Sequence, residues 1–412
     1  MISWDALTPD PDYRRRQQDL GLRRAVVSFN DRAVPGLGNL WFSMPVAWAL
    51  LGLKIAADRN LNAVTVTNAI EALAMKAAHS ASSGAEDNAV PSRVRGQRKL
   101  ALVDDLSYAS LSRRGTYVSQ PLRQMLQQPL DGLGLATGGR FATLEIASDV
   151  LTLLEGKPLK KLLESLDAWV GGKGSGEKPP VADSISPLVS VPRPLAIKLR
   201  SRLFEEGRPE DLARRRSVRD AGWLDATRAD ARVFAEATPR APFDAEHWRD
   251  LRAGSALFAL RHKALLLLRN IEGALLDARQ AGLPVRLTTK EAVARFVPQI
   301  EDLGRDAVTM APMIEPADEK DSLAFLRLLL SADPGTVVRG LVMRDGTVLR
   351  LDGDHILPGP VGDDLRPPGA PPEEDEEDEQ PDLGRLHAMR MLTAELDAAI
   401  EAGGAACKAP RP

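Results

Sequence analysis

The chain of 412 residues has only one cysteine, Cys407, and five histidines. A single thiol cannot build a disulfide framework within one chain, and no histidine or cysteine pair has the spacing of a zinc site. The sequence therefore predicts no metal centre and no cofactor. It is typical of a protein of the reducing cytoplasm.

Aromatic residues and long apolar runs are scarce as well. Aromatics make up 4% of the chain, which favours helices over large sheets. The oiliest segment, residues 40–55, contains Pro45 and falls short of the roughly 20 residues that a membrane span needs. The N-terminus has no signal-peptide pattern. We expect a buried helix at 43–56 and no membrane partner.

Catalytic motifs are lacking too. There is no G-x-S-x-G elbow, and the glycine loop at 171–176 has Glu177 where a phosphate loop needs lysine. Asp352, Asp354 and His355 lie close together in sequence, but turn chemistry explains their Asp-Gly pairs. The sequence predicts a protein that is not an enzyme. A metal-dependent nuclease using Asp352 and Asp354 is the least favoured alternative.

Composition divides the chain into segments and predicts a mainly α fold. We expect an arm and apolar helix at 1–60, a compact unit at 61–170, a flexible Gly/Ser/Pro linker at 171–190, a helical domain ending in a β-hairpin at 191–358, an acidic disordered linker at 359–383 and an amphipathic tail helix at 384–403.

The C-terminal half has three distinct patterns. Apolar residues recur at helical spacing over 247–282, and a second helix is expected from Thr289 to Leu303. Asp345-Gly346 predicts the turn of the hairpin. Seven consecutive acidic residues, Glu373–Glu379, predict a solvated linker, with competition for a basic surface as the alternative. The tail helix could dock a partner protein.

The compact unit has an ordered series of short elements. A helix at Thr67–Ala78 and a shorter one at 104–112 precede a helix that begins near Ser119. Gly138-Gly139 between extended segments predicts a two-residue hairpin turn, and a last helix follows at 148–156. Pro129 is expected to kink the third helix or end it early.

One face of this third helix is polar, and the region around it is basic. Gln120, Arg123, Gln124 and Gln127 recur at helical spacing opposite the leucines. From Arg93 to Arg140, eight basic and three acidic residues leave an excess of five positive charges. Such an excess is the electrostatic pattern expected for a polyanion partner.

The stretch PLRQMLQQPLDGLGLATGGRFATLEIASDVLTLLEG, with the helices before it, resembles the winged helix-turn-helix superfamily. The resemblance covers about 90 residues. In that family the third helix lies in the DNA major groove and the hairpin tip contacts phosphate. It implies a DNA-binding set of Arg113, Arg114, Ser119, Gln120, Arg123, Gln124, Gln127 and Arg140. The glutamines and Arg123 would contact bases, and Arg113, Arg114 and Arg140 would contact phosphates.

The expected function is a non-enzymatic bacterial protein that binds duplex DNA. The large helical region suggests an accessory subunit of a multi-protein DNA-handling or phage-defence system, with protein partners on the C-terminal helices. The alternative is an adaptor whose winged helix docks a protein. The target sequence, the oligomeric state (a homodimer included), the partners, any effector ligand and any regulatory role of the acidic tail stay open.

Overall fold

The computed structural model describes residues 18–82, 93–113, 115–118, 121–172, 176–224, 231–360 and 383–406, and for residues 98 and 403–406 it describes the backbone alone. Over these residues the protein is mainly α, with sixteen α-helices and two small antiparallel sheets. Internal contacts divide the chain into two compact units. Unit 1 comprises residues 1–32, 227–240 and 244–383, and unit 2 comprises 33–226, 241–243 and 384–412.

Unit 2 contains most of the short helices and one two-stranded sheet. Its elements are α2 (Met44–Arg59), α3 (Ala63–Ser82), α4 (Gln97–Ala101), α5 (Tyr108–Leu111), α6 (Arg123–Gly132), β1 (Ala136–Thr137), β2 (Glu145–Ile146), α7 (Ser148–Leu154), α8 (Leu159–Val170), α9 (Val181–Ser184), α10 (Arg193–Phe204), α11 (Pro209–Asp220) and α16 (Gly384–Ala406).

Unit 1 is built around two long helices. Its elements are α1 (Arg23–Ala33, whose last residue belongs to unit 2), α12 (Ala245–Gln280), β3 (Leu287–Thr288), α13 (Thr289–Ile314), α14 (Lys320–Leu329), α15 (Pro334–Asp345), β4 (Leu349–Asp352) and β5 (His355–Pro358).

The pair formed by α2 and α3 is the centre of unit 2. Both helices are apolar on most sides, as the expected buried helix at 43–56 requires. Gly52 lets them approach closely, because a Cβ at this position would lie 2.3 Å from Oγ1 of Thr67. Trp48 is 1% exposed, and its indole N–H donates to the carbonyl of Ile185 at 2.8 Å.

The hydrogen bond from Trp48 to Ile185 involves the segment 171–190, which was expected to be a flexible linker, and that segment belongs to unit 2. Of residues 171–190, residues 173–175 lie outside the described ranges, but Val181, Ala182 and Ile185 are buried, and α9 contacts α3 and α8. The segment therefore packs as part of the unit. Its Gly, Ser and Pro content reflects turns around a short helix.

Helix α16 completes the same core. Leu386, Met389, Leu392 and Leu396 are buried, and the helix packs against α10 and α11. The apolar face expected to dock a partner protein is thus covered within unit 2. A truncation that removes the acidic run at 373–379 and everything after it would also remove this part of the core.

Local signals set the two long helices of unit 1. The Asp244 carboxylate accepts the N–H of His247 at 2.7 Å and caps α12. The helix continues through Gly254, where an added Cβ would lie 3.0 Å from Cβ of Phe29. Thr288 and Glu291 form a capping box at the start of α13. The expected start of α13 is confirmed, but the helix extends to Ile314.

The hairpin expected at Asp345-Gly346 is wrong. These residues end α15, where Gly346 adopts φ of 59° as a left-handed C-cap. The hairpin lies further along the chain, where β4 pairs with β5. Leu349 lies opposite Pro358 at one end of this pairing and Asp352 lies opposite His355 at the other, and β3 pairs with the other edge of β5. A glycine after aspartate supplies positive φ equally well to a helix end and to a tight turn.

Candidate nucleic-acid interface

Helix α6 begins later than the sequence indicates. It starts at Arg123, four residues after the expected cap Ser119, and runs to Gly132. Arg114, Ser119 and Gln120 lie outside the described residues. The helix does not end early at Pro129: it continues to Gly132, and the Pro129 carbonyl accepts the N–H of Leu133 at 3.0 Å.

A buried carboxylate from α3 holds the start of α6. Glu71 is 1% exposed, and its side chain accepts the backbone N–H groups of Leu122 at 2.9 Å and Arg123 at 3.4 Å. First-turn N–H groups have no partner within their own helix, so the carboxylate satisfies two donors of α6. Burial raises the pKa of Glu71 to about 7, while these two hydrogen bonds lower it.

Arg123 is half-buried and does not extend into solvent as expected for a base contact. Its Nε donates to Oδ1 of Asn68 at 2.7 Å, and its guanidinium lies 5.4 Å from the ring centroid of Phe141. Burial lowers the pKa of Arg123, and the charge of Glu71 opposes that shift. Arg123 therefore connects α3, α6 and the segment after β1.

The sheet beside α6 differs from the expected two-residue hairpin. Ala136 pairs with Ile146 and Thr137 with Glu145, so residues 138–144 form a longer loop with a 3-10 turn at Phe141–Thr143. Gly138 has φ of 144°, and a Cβ there would lie 2.7 Å from the carbonyl oxygen of Thr143. Gly138 thus closes the base of the loop, and Gly139 lies further along it.

Gln127 fixes the loop against α6. Its Nε2 donates to the carbonyl of Gly139 at 2.9 Å, so a side chain expected to read bases holds the loop instead. Gln124, one turn earlier, is exposed, and so is Arg140 at the loop tip. The resulting surface, which we call the α6–loop surface, consists of Gln124, Gln127 and residues 138–144.

Arg113 is exposed just after α5, but a carboxylate lies near it. Hydrogen bonds from Ser107 lower the pKa of Asp105, and the charge of Arg113 adds to that shift. Arg113 therefore has a positive charge at the surface, as expected for a phosphate contact, although Asp105 partly offsets it.

Internal pairing uses part of the basic excess. Arg93 forms an ion pair with Glu395 at 3.1 Å, and Arg95 lies near enough to Glu71 for its charge to stabilise that carboxylate. With Arg123 also half-buried, three of the six basic residues with described side chains are half-buried and engaged inside the unit, and a fourth, the exposed Lys99, donates from Nζ to the carbonyl of Tyr117 at 3.0 Å. The described cations that stay exposed are Lys99, Arg113 and Arg140, and the exposed carboxylates of the same stretch are Asp104, Asp105 and Asp131.

Neither a metal site nor a membrane span is found within the described ranges. No cluster of three His, Cys, Asp or Glu side chains there could hold a metal ion. No helix there is long and apolar enough to cross a membrane. Asp352 and Asp354, the carboxylates of the nuclease alternative, are exposed at the β4–β5 turn, and Asp354 lies 3.9 Å from Arg339.

Glu71 and Asn68 are the residues of this site that sequence reasoning missed. The signal available in the sequence is Glu71 itself, which lies one helical turn after Thr67 and one before Met75 in a largely apolar helix. No protein-family model, curated protein or solved structure matched the chain in comparisons with known proteins.

Proposed function

We propose that unit 2 is a non-enzymatic module of winged helix-turn-helix type that binds duplex DNA through the α6–loop surface. The order of α3, α5, α6, β1, β2 and α7 supports this assignment, since helices are followed by a two-stranded wing and a closing helix; the short helix α4 lies between α3 and α5 as an additional element. The observation that carries the proposal is the bond from Gln127 to Gly139, which sets the wing loop alongside α6.

The chemistry of the exposed side chains fits this role. Gln124 presents an amide that can bond adenine through both its donor and its acceptor when a helix lies in the major groove. Arg140 at the loop tip carries a charge suited to phosphate. Gln127 and Arg123 act as internal supports, so they hold the helix and the loop in register with each other.

Binding of labelled 20-base-pair duplexes, followed by fluorescence anisotropy, tests the proposal. Arg140→Glu should raise the Kd about tenfold, roughly 1.4 kcal/mol, because it reverses a charge at the phosphate contact. Gln124→Ala should reduce discrimination between duplexes more than it reduces overall affinity.

Arg208→Glu is the matched control. Arg208 is an exposed arginine of the same unit, on the N-terminal side of α11, and it pairs with Asp211 at 3.1 Å. Its reversal changes net charge equally and should leave the Kd close to that of the wild type. Equal losses in both variants, or no binding by the wild type at 50 mM salt, would contradict the proposal.

Protein docking is the second candidate function, and one observation favours it. The exposed part of α6 carries the neutral amides of Gln124 and Gln127, while Arg123 is turned inward. A surface without strong charge suits a protein partner better than a polyanion. A wild-type chain that ignores DNA but whose α6 becomes protected from hydrogen exchange by a protein partner would favour docking.

A further inference from the structure

Glu71 occupies an unusual place for a carboxylate. It lies on α3 among apolar neighbours, is 1% exposed, and reaches the backbone of α6 instead of solvent. An ionised carboxylate loses most of its hydration at such a position, and hydrogen bonds restore only part of that loss.

The groups that face Glu71 come from three neighbouring segments. Leu122 and Arg123 give backbone N–H groups at the start of α6, Tyr117 lowers the pKa of Glu71 from the segment before α6, and Arg95 and Arg123 contribute positive charge. All of these favour the ionised form. Burial outweighs them, so the carboxyl group takes up a proton more readily here than it does in water.

The contact at Glu71 is also mechanically connected to the α6–loop surface. The backbone N–H of Arg123 donates to Glu71. The side chain of Arg123 donates a hydrogen bond to Asn68 and lies against the ring of Phe141 in the loop. Opening of the α3–α6 contact would therefore release the start of α6 and loosen the loop together.

We propose that Glu71 is a proton-linked positioning residue that keeps α6 and its loop seated on α3 when protonated and allows them to separate when ionised. The sign follows from linkage. The pKa of Glu71 is about 7 in the closed contact and returns towards the ordinary 4.5 once the carboxyl group reaches water. The closed form therefore binds more protons between these values, and its advantage is fully present below pH 4.5 and lost as pH rises through 7.

Hydrogen exchange of the full chain tests this inference without DNA. From pH 6 to pH 8.5 the opening equilibrium should rise about tenfold. The Glu71 carboxyl group, whose pKa is about 7 in the closed contact, loses its proton there over this range, whereas in the open form, with the ordinary pKa of 4.5, it is already ionised. The α6 peptide, residues 122–132, should lose protection by that factor once its exchange rates are corrected for intrinsic pH dependence.

Two variants give the matched comparison. Glu71→Gln resembles the protonated side chain and should make α6 protection independent of pH. Glu145→Gln, at an exposed carboxylate of β2 in the same unit, should behave as the wild type. If wild type and Glu71→Gln lose protection equally, the proton linkage is wrong. If Glu71→Gln unfolds the unit, the wild-type pH profile alone decides, and a flat profile overturns the inference.

The functional part of this inference rests on the proposed DNA binding, but the two fail separately. Wild-type affinity for the duplex should fall above pH 7 in proportion to the loss of the closed form, and affinity of Glu71→Gln should not. Absence of DNA binding with pH-dependent α6 protection would refute the proposed function and leave the proton linkage intact. DNA binding with pH-independent protection would refute the linkage alone.

Discussion

The salt dependence of DNA affinity reports how many positive charges contact phosphate. It therefore distinguishes the number of basic residues counted in the sequence from the number that unit 2 exposes. All eight basic residues between Arg93 and Arg140 would contribute if they faced the duplex. Within the described side chains, Lys99, Arg113 and Arg140 are exposed, while Arg93, Arg95 and Arg123 are half-buried and engaged within the unit. Arg98 and Arg114 have no described side chain.

The magnitude follows from counterion release. If only the three exposed cations contact phosphate, the slope of log affinity against log salt is about −2.7. If Arg98 and Arg114 contact phosphate as well, the five contacts give about −4.5, and all eight basic residues would give about −7. Between 50 and 200 mM salt, three to five contacts weaken binding about 40- to 500-fold, whereas eight weaken it about 20,000-fold.

Anisotropy titrations of the full chain at five salt concentrations measure this slope. We expect a value between about −2.7 and −4.5, which Arg140→Glu makes shallower by about one unit. A slope near −7 would refute the reasoning, because it would require the half-buried arginines to reach phosphates. A slope near zero would remove the electrostatic basis of the proposed function.

Two further predictions concern stability, followed by urea unfolding. Gly132→Ala should destabilise unit 2 by roughly 1–3 kcal/mol, because the new Cβ would lie 2.6 Å from Cα of Gly36. Gly222→Ala, with no atom within 4 Å, should have little effect, and equal losses would show that close approach is not the cause. Thr288→Ala should cost unit 1 about 1 kcal/mol by removing the capping box with Glu291, and Thr288→Ser should retain most of it.

Helices with regular apolar spacing were predictable from the sequence. The pattern over 247–282 corresponds to α12, and the threonine before 289 begins α13 as its capping chemistry requires. The mainly α fold follows from the same signals. These elements are set by residues within a few positions of one another, so one sequence contains enough information to place them.

The glycine-based turns were not predictable in this way. Asp345-Gly346 ends a helix, and Gly138-Gly139 begins a loop of seven residues. In both places glycine supplies a positive φ, as expected, but several structures use that conformation. Which one forms depends on the neighbouring core: Phe141 is 4% exposed, and its burial next to Arg123 draws the loop inward.

The candidate site was predictable only in outline. The helical spacing gives α6 a polar face, but it does not reveal which polar residues have partners elsewhere. Arg123 meets Asn68, which is 55 positions away, and Gln127 meets a carbonyl 12 positions away. Partners at such separations are defined by tertiary packing, so a charge count over a segment overestimates what its surface offers.

The return of the chain to unit 2 at residue 384 has a consequence for synthesis. Leu195 and Leu199 of α10 are fully buried in a unit whose α16 follows about 180 positions later. While the ribosome is still translating unit 1, α10 and α11 lack this covering helix, and their apolar residues remain exposed to solvent. We expect nascent chains at this stage to be clients of chaperones, and closure of unit 2 to await the emergence of α16 from the exit tunnel.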